Sequence, residues 1–422
     1  MWFKKCRIYA DAGAATPLSQ NSRREMLRLL DVYGNAGALH KEAVEAKNEL
    51  EGARKSIARS VGAHADEIIF TASGTEGNNL AIQGVLRPLL QEHGELHAIT
   101  CAIEHQSVLE PLRAMEKEGL YLTVLPVDAQ GFVDPSALSE AINDQTVFVS
   151  VQWVNSEVGT IEPIKEIAKE IREVKRHRIA SAGALRGASP SLTPATGNTA
   201  PLSPLPLYFH TDASQALLWL KMRVESLGID IATLDAQKVL GPKGVGALYI
   251  KRGTSIDPLM YGGTQEFNLR GGTPNVPLAG AFAVALADAE QGVEARAEKM
   301  SAVRDYLWAQ IKKRLPEAIL NGPDIKTSPC YRVANSLNIS IPNLEAETAV
   351  IAMDAEGVAI STRSACNIGD EEPSHVIKAL GVAPELAGTA LRITLLPTAT
   401  YADARRIAKT LADVEKRYRI VV

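Results

Sequence analysis

The sequence predicts an α/β protein with a mainly parallel sheet of seven strands, helices on both faces of this sheet, and a smaller α/β domain at the carboxyl end. Three observations support this. Strand-like and helix-like segments alternate over the first two-thirds of the chain, as in parallel sheets. Residues 147–151 form a continuous β-branched and aromatic run, as expected for a strand buried on both faces. The 422 residues, 46% of them hydrophobic, suffice for two domains.

The predicted elements follow from local patterns along the chain. Apolar residues at helical spacing predict a first long helix over residues 43–61. The seven predicted strands cover residues 67–71, 98–101, 121–125, 147–151, 207–210, 229–234 and 247–251. Further helices are predicted over residues 77–90, 106–117 and 163–177. Beyond about residue 290, a charged helix (293–314), a strand (336–341) and a helix (345–356) predict the smaller domain.

The domain boundaries are predicted from this change of pattern. We expect a large domain over residues 12–290, and a small domain formed by residues 1–11 together with residues 291–422. Residues 179–206 interrupt the large domain, because they are rich in Ala, Ser, Gly, Pro and Thr and contain almost no large apolar residue. Such a composition predicts a flexible surface insertion.

Composition and charge argue against several classes of protein. The net charge of −4 gives no reason to expect direct nucleic-acid binding or an anionic membrane surface. No run approaches the roughly 18 apolar residues of a membrane helix, and no apolar core of a secretory signal appears at the start. The four cysteines are far apart, without a zinc-binding CxxC pair. We therefore expect a cytoplasmic protein with no metal site.

The first candidate motif is TASGTE at residues 71–76, between a predicted strand and a predicted helix. Small residues such as Gly74 let backbone N–H groups approach an anion at a helix N-terminus, and Thr75 adds a hydroxyl. An ordinary capped helix start remains the alternative.

The second motif is HTDASQ at residues 210–215, directly after a predicted strand. A carboxylate at a strand's carboxyl end lies where α/β folds bind ligands. In a pyridoxal enzyme, Asp212 would pair with the pyridine nitrogen and keep it protonated. The alternative is that Asp212 caps the next helix.

The third motif is DAQKVLGPKG at residues 235–244. Lys238 follows a hydrophobic strand and precedes a Gly/Pro turn, which suits a Schiff-base lysine, because partial burial favours the neutral amine. Lys243 is the competing candidate, but it lies inside the turn. A plain surface charge is the alternative for either lysine.

The fourth motif is STRSACNIG at residues 361–369. Cys366 has small and polar neighbours, which are typical of an exposed loop, whereas a buried structural cysteine more often has apolar neighbours. Arg363 would favour the thiolate form of Cys366. An incidental loop cysteine is the alternative when this motif is taken alone.

Together and in this order, the four motifs resemble the cysteine desulfurases (NifS/IscS-like). These are fold-type I pyridoxal 5'-phosphate (PLP) enzymes of the class V aminotransferase group. The resemblance extends from residues 8–11 to residues 391–394. Further matching blocks are EH (104–105), VNSEVG (154–159), RGGTPN (270–275) and EPSH (372–375). The spacing between Cys366 and EPSH resembles the subgroup with a long, mobile cysteine loop.

The resemblance implies a role for each matching residue. Lys238 would hold PLP and move the Cα proton, Cys366 would accept the sulfur, and His105 would stack on the ring and relay protons. Arg392 would grip the substrate carboxylate by a two-point contact, with Asn155 nearby. The cofactor-binding residues that the resemblance implies are Gly74, Thr75, His105, Asn155, Asp212, Gln215, Gln237, Lys238 and Thr273.

The resemblance also implies a reaction and its partners. Sulfur would be removed from L-cysteine, giving L-alanine and a persulfide on Cys366. A sulfur-acceptor protein, either an iron–sulfur scaffold or a tRNA thiolation enzyme, would receive the sulfur. Thr273 would reach the phosphate in a partner subunit, which implies a homodimer. The alternatives are an aminotransferase or selenocysteine lyase on the same fold, and a homologue that serves only as a scaffold.

One segment departs from the family pattern. Where the family usually has Ser-x-His before the lysine, this chain has Asp235, Ala236 and Gln237. Gln237 can still donate a hydrogen bond to a phosphate. Asp235 would repel a phosphate unless its carboxylate is turned away or paired.

Overall fold

The predicted α/β architecture is confirmed. A computed structural model describes residues 7–187, 204–327, 331–362 and 373–420, without the side chains of 182–187. Its largest sheet has seven strands in the order β2-β8-β7-β6-β5-β3-β4. These strands are β2 (Ile68–Thr71), β3 (Leu96–Cys101), β4 (Leu120–Leu125), β5 (Thr146–Ser150), β6 (Tyr208–Asp212), β7 (Ile231–Asp235) and β8 (Gly246–Ile250).

Strand direction sets where side chains can converge. Strands β3 to β7 run parallel, and β8 is antiparallel to both of its neighbours, β7 and β2. Strand β2 therefore points the same way as β3 to β7, and only β8 is reversed. The carboxyl ends of six strands thus meet at one edge of the sheet, where α/β folds bind ligands.

In the part of the chain that the structure describes, eight α-helices accompany this sheet. They are α1 (Gln20–Leu29), α2 (Lys41–Val61), α3 (Gly74–His93), α4 (Gln106–Glu116), α5 (Pro135–Ala141), α6 (Ile164–Gly187), α7 (Val224–Leu227) and α8 (Val276–Glu290). In α2, the stripe from Ala43 to Val61 that predicted the helix is buried. The helix ends at Gly62, whose φ of 72° is the left-handed geometry that glycine adopts without strain.

Helix α6 is longer than the sequence indicated. We predicted that it ends near residue 177, followed by a flexible insertion over residues 179–206, but the helix continues to Gly187. Residues 179–187 are therefore helical, and this part of the prediction was wrong. Alanine and leucine are strong helix formers, so a segment without a strong apolar stripe still extends an existing helix. Residues 188–203 lie outside the described part of the chain.

A second sheet lies toward the carboxyl end. Strands β9 (Ile319–Asn321), β10 (Ser336–Ser340) and β12 (Ala390–Thr394) pair antiparallel in the order β12-β10-β9. Near the start of the chain, β1 (Ile8–Tyr9) pairs in parallel with β11 (Val358–Ala359). The accompanying helices are α9 (Val293–Arg314), α10 (Ala346–Ala355), α11 (His375–Ala379), α12 (Pro384–Ala387) and α13 (Tyr401–Tyr418). No helix in the described ranges is long and apolar enough to cross a membrane.

A buried ion pair ties α2 to a tight segment of the chain. Glu266 accepts hydrogen bonds from both terminal nitrogens of Arg54, at 2.7 and 2.8 Å, and from the backbone N–H of Phe70 at 2.7 Å. Residues 266–268 have φ values of 46°, 56° and 68°, a conformation that is costly for residues other than glycine. The ion pair therefore stabilises a strained turn beside strand β2.

We expect Glu266→Ala to lower the free energy of unfolding by about 3–5 kcal/mol, because it leaves the Arg54 charge buried without this partner. Urea denaturation followed by circular dichroism measures the change. Glu51→Ala is the matched control, since the more exposed Glu51 also contacts Arg54 and should contribute at most about 1 kcal/mol. Equal losses in the two variants would contradict a dominant role for the buried pair.

Candidate active site

A cavity of about 270 Å³ lies at the carboxyl edge of the large sheet. It brings together side chains that are far apart in sequence. The predicted site residues that line it are Gly74, Thr75, His105, Asp212, Gln215, Gln237, Lys238 and Arg392. Such convergence of polar and charged groups in one concave site is typical of an active site.

The strand ends explain why these residues meet. Gly74 begins α3 just after β2, and His105 caps the start of α4 after β3. Asp212 is the last residue of β6, and Lys238 ends the 3₁₀ turn that follows β7. Arg392 comes from β12 of the second sheet, so the cavity lies where the two sheets approach each other.

The amine of Lys238 is held inside the cavity by backbone carbonyls. Its Nζ donates to the oxygens of Gly13 at 2.8 Å and Ala14 at 2.6 Å. Burial lowers the pKa of Lys238 below its usual value, with the positive charge of Arg392 acting in the same direction and Asp235 opposing it. A lowered pKa increases the fraction of neutral, nucleophilic amine.

Asp212 is oriented by one donor on each carboxylate oxygen. Oδ1 accepts from the backbone N–H of Ser214 at 2.9 Å, and Oδ2 accepts from Nδ2 of Asn78 at 2.8 Å. Its titratable neighbours favour their neutral forms. Burial raises the pKa of Glu104 well above its usual range, and burial lowers the pKa of His210 to about 4.

Arg392 is buried and only partly engaged by protein groups. Its Nη2 donates to Oδ1 of Asp11 at 2.8 Å, and its Nη1 donates to the carbonyl of Ser156 at 3.4 Å. Among the described residues, the buried Nε has no hydrogen-bond partner. An unsatisfied guanidinium N–H in a cavity is costly unless a ligand accepts from it.

The start of α3 forms a cradle for an anion. A Cβ added to Gly74 would lie 3.2 Å from Oγ of Ser214 and 3.3 Å from Oδ2 of Asp235, so glycine keeps this space open. The buried Ser214 hydroxyl has no partner within the described ranges, and it can donate to an anion held at the helix N-terminus. Ser214 belongs to the HTDASQ motif, but the sequence alone did not single it out.

Asp235 brings an unfavourable negative charge to the cradle. Its carboxylate accepts from the backbone N–H and from Nε2 of Gln237, both at 3.1 Å. Oδ2 nevertheless faces the space kept open by Gly74. Of the two possibilities that the sequence left open, the carboxylate is therefore not turned away from the cradle, and its hydrogen-bond donors are those of the uncharged Gln237.

Three predicted residues are not among those lining the cavity. Asn155 lies behind its wall, where Nδ2 donates to the carbonyl of Ile103 and Oδ1 accepts two backbone N–H groups. Thr273 lines a separate cavity of about 240 Å³ beside Arg270. Cys366 lies outside the described residues. No group of three or more His, Cys, Asp or Glu side chains in the described ranges could hold a metal ion.

The chain matches a known protein family. The sequence matches the aminotransferase class-V family over residues 8–180 and 197–407. The chain belongs to the class-V aminotransferase family. The match is interrupted only between residues 181 and 196, within the predicted insertion. Family membership also confirms the resemblance on which the sequence analysis relied.

Two curated relatives match the chain over nearly its full length. The chain is 37% identical to cysteine desulfurase IscS of Dictyoglomus turgidum, covering 99% of this chain and 96% of that protein. It is 34% identical to cysteine desulfurase IscS of Methanosarcina thermophila, covering 98% and 93% of the two chains.

Solved structures of the family share the fold. A NifS-like protein superposes with a TM-score of 0.84 at 28% identity, over 97% of this chain and all of that one. A structure described as SspA in complex with cysteine has a TM-score of 0.73 at 31% identity and covers 93% of this chain and all of that one.

Proposed function

We propose that the protein is a PLP-dependent cysteine desulfurase that converts L-cysteine to L-alanine and carries the sulfur as a persulfide on Cys366. One observation carries the proposal. A buried amine (Lys238), a carboxylate (Asp212) and a partly unsatisfied guanidinium (Arg392) meet in one cavity, although they lie far apart in the chain. The names of the full-length relatives support the same activity.

The residues of the cavity fit PLP. The Gly74 cradle and the unpartnered Ser214 hydroxyl suit its phosphate, and Asp212 suits its pyridine nitrogen. Lys238 would hold the cofactor through its amine, while His105 would stack on the ring. When bound, PLP supplies an electron sink for the electron pair released at the substrate Cα. Thr75, Gln215 and Gln237 line the same cavity and would complete the polar contacts.

The protein side chains perform the remaining steps. Arg392 binds the substrate carboxylate, for which its unpartnered Nε is the available donor, while Asp11 accepts from Nη2 and orients the guanidinium. Lys238, favoured in its neutral form by burial, takes the Cα proton. The Cys366 thiolate then bonds to the substrate sulfur as the Cβ–S bond breaks, which leaves a persulfide on Cys366. The electron pair of the broken bond stays with the carbon fragment, which takes protons at Cβ and Cα and leaves as alanine.

The assay of the proposed activity measures alanine and sulfide from L-cysteine in the presence of a thiol reductant. We expect equal amounts of the two products and no requirement for a keto acid. A requirement for a keto-acid acceptor would instead support an aminotransferase, to which the Gln237–Lys238 pair is also suited. Turnover of selenocysteine but not of cysteine would identify a selenocysteine lyase.

Asp235 is expected to weaken cofactor binding. Removing its charge in Asp235→Ser should tighten PLP binding to the apoprotein about tenfold, because a like charge next to the phosphate is removed. Fluorescence titration of the apoprotein with PLP measures this. Asp235→Asn, which keeps the size of the side chain, is the matched variant and should also bind more tightly. Unchanged affinity in both would mean that the carboxylate does not act on the phosphate.

The proposal also covers the oligomeric state of the protein, its location in the cell and the acceptor of the sulfur. We place the protein in the cytoplasm as a homodimer, in which Thr273, lying outside the cavity of its own chain, contacts the phosphate of the other subunit. The large domain (12–290) would hold the cofactor, and the small domain (1–11 with 291–422) would carry Cys366 and Arg392. The pairing of β1 with β11 supports this division. An iron–sulfur scaffold or tRNA thiolation enzyme would then take the sulfur.

A further inference from the structure

A short chain of hydrogen bonds connects the two side chains proposed to contact the cofactor ring. Nδ2 of Asn78 lies 2.8 Å from Oδ2 of Asp212 and 2.8 Å from Oγ of Ser107. The Oγ of Ser107 lies 2.7 Å from Nδ1 of His105. Asn78 is fully buried, so this chain of contacts is shielded from bulk water.

The chemistry of these groups sets the direction of each hydrogen bond. A carboxylate oxygen of Asp212 only accepts, so the atom of Asn78 that faces it is the NH₂ nitrogen. The second hydrogen of this NH₂ group points to Ser107, whose hydroxyl oxygen accepts it. The Ser107 hydroxyl hydrogen then remains available for Nδ1 of His105.

A second donor reaches the same ring nitrogen. The backbone N–H of Ser107, in the first turn of α4, donates to Nδ1 of His105 at 3.1 Å. A backbone N–H can only donate, so Nδ1 must be the unprotonated nitrogen of the ring. In a neutral imidazole the proton therefore resides on Nε2.

Asn78 also has an unfavourable feature that indicates its role. Its Oδ1 is buried and has no hydrogen-bond partner among the described residues. A buried acceptor without a partner is destabilising. The side-chain NH₂ group of Asn78 thus donates to Asp212 and Ser107, while the side-chain oxygen accepts no hydrogen bond. This arrangement argues that the two donated hydrogen bonds are what this position requires.

We propose that Asn78 and Ser107 are positioning residues that hold His105 as the neutral tautomer protonated on Nε2 and couple this state to Asp212. In this tautomer Nε2 can donate a hydrogen bond but has no lone pair with which to take a proton. His105 therefore acts as a donor beside the cofactor, and the proton acceptor of the reaction is another group, Lys238. The role of His105 in catalysis rests on the proposed function, whereas the assignment of its tautomer rests only on the hydrogen bonds described above.

The test is nuclear magnetic resonance of histidine side chains in ¹⁵N-labelled protein, with and without PLP. Long-range ¹H–¹⁵N spectra distinguish the two tautomers and the imidazolium. The chain has 8 histidines, and the signals missing from His105→Gln identify His105. We expect the Nε2-protonated tautomer in the wild type at pH 7.

Two variants at Ser107 separate positioning from packing. Ser107→Ala removes the hydroxyl donor, so the ratio of Nδ1-protonated to Nε2-protonated His105 should rise about fivefold. Ser107→Thr restores the hydroxyl and should give the wild-type ratio, although it is bulkier. If Ser107 served only in packing, the tautomer ratio would not change in Ser107→Ala and return to the wild-type value in Ser107→Thr.

A proton on Nδ1 in the wild type, an imidazolium at pH 7, or an unchanged ratio in Ser107→Ala would each overturn the proposal. The measurement needs no turnover of cysteine. Its failure is therefore distinguishable from a failure to form alanine and sulfide, which would instead refute the proposed function.

Discussion

Lys238→Ala is expected to lower the rate of alanine formation from cysteine at least about a thousandfold, because general acid–base catalysis alone typically contributes 10²- to 10⁴-fold. The variant also loses the amine that would hold the cofactor. The buried Nζ donates only to two backbone carbonyls and forms no ion pair at salt-bridge distance in the described structure. Its removal should therefore leave the fold intact. Alanine release and circular dichroism together measure both expectations.

Lys243→Ala is the matched control for this variant. Lys243 lies five residues later in the same segment, but its side chain is exposed and does not line the cavity. We expect wild-type activity. Borohydride reduction should attach PLP covalently to the wild type and to Lys243→Ala but not to Lys238→Ala. Covalent attachment in Lys238→Ala, or loss of activity in Lys243→Ala, would contradict the assignment of Lys238.

Cys366→Ala is expected to abolish persulfide formation and to reduce sulfide release by at least about a hundredfold, because the nucleophile that removes the sulfur is gone. Substrate binding should persist, since Arg392 and the cofactor contacts are unchanged. Mass spectrometry of the protein after incubation with cysteine measures the added sulfur. Titration of the holoprotein with cysteine, followed by visible absorption, measures the retained binding.

Cys101→Ala is the matched control for the thiol. Cys101 is fully buried, and burial raises the pKa of its thiol well above the usual range, so it is a poor nucleophile. We expect this variant to form the persulfide as the wild type does. If the persulfide forms in Cys366→Ala but not in Cys101→Ala, Cys101 carries the sulfur and the proposal is refuted.

Much of the fold was predictable from local pattern. Strand β5 has β-branched and aromatic residues at its centre because both of its faces are buried, and the stripe of α2 repeats at helical spacing because one side packs against the core. Helix α9 begins and ends at the predicted residues. The extension of α6 beyond residue 177 was missed, because a helix that is already formed can continue through alanine-rich sequence without an apolar stripe.

The sequence predicted only those residues of the site that belong to recognisable motifs. Lys238 and Asp212 each follow a strand, and parallel strands place their carboxyl ends together, so their convergence could be expected. Asn78 and Ser107 carry no such signal, since an asparagine and a serine near helix starts are ordinary helix-terminal residues. Only packing of α3 against α4 brings them between Asp212 and His105.

By itself, the sequence determined which residue types follow which strands, and with them the family and the candidate amine, carboxylate, guanidinium and thiol. Only the tertiary structure decided that the Asp235 carboxylate faces the cradle at Gly74 and that the hydroxyl and the backbone N–H of Ser107 both lie within hydrogen-bonding distance of Nδ1 of His105. Strand and helix patterns are local, because they depend on the spacing of apolar residues along the chain. The direction of a hydrogen bond, or the side on which a buried carboxylate lies, depends on groups from distant segments that meet only when the chain is folded.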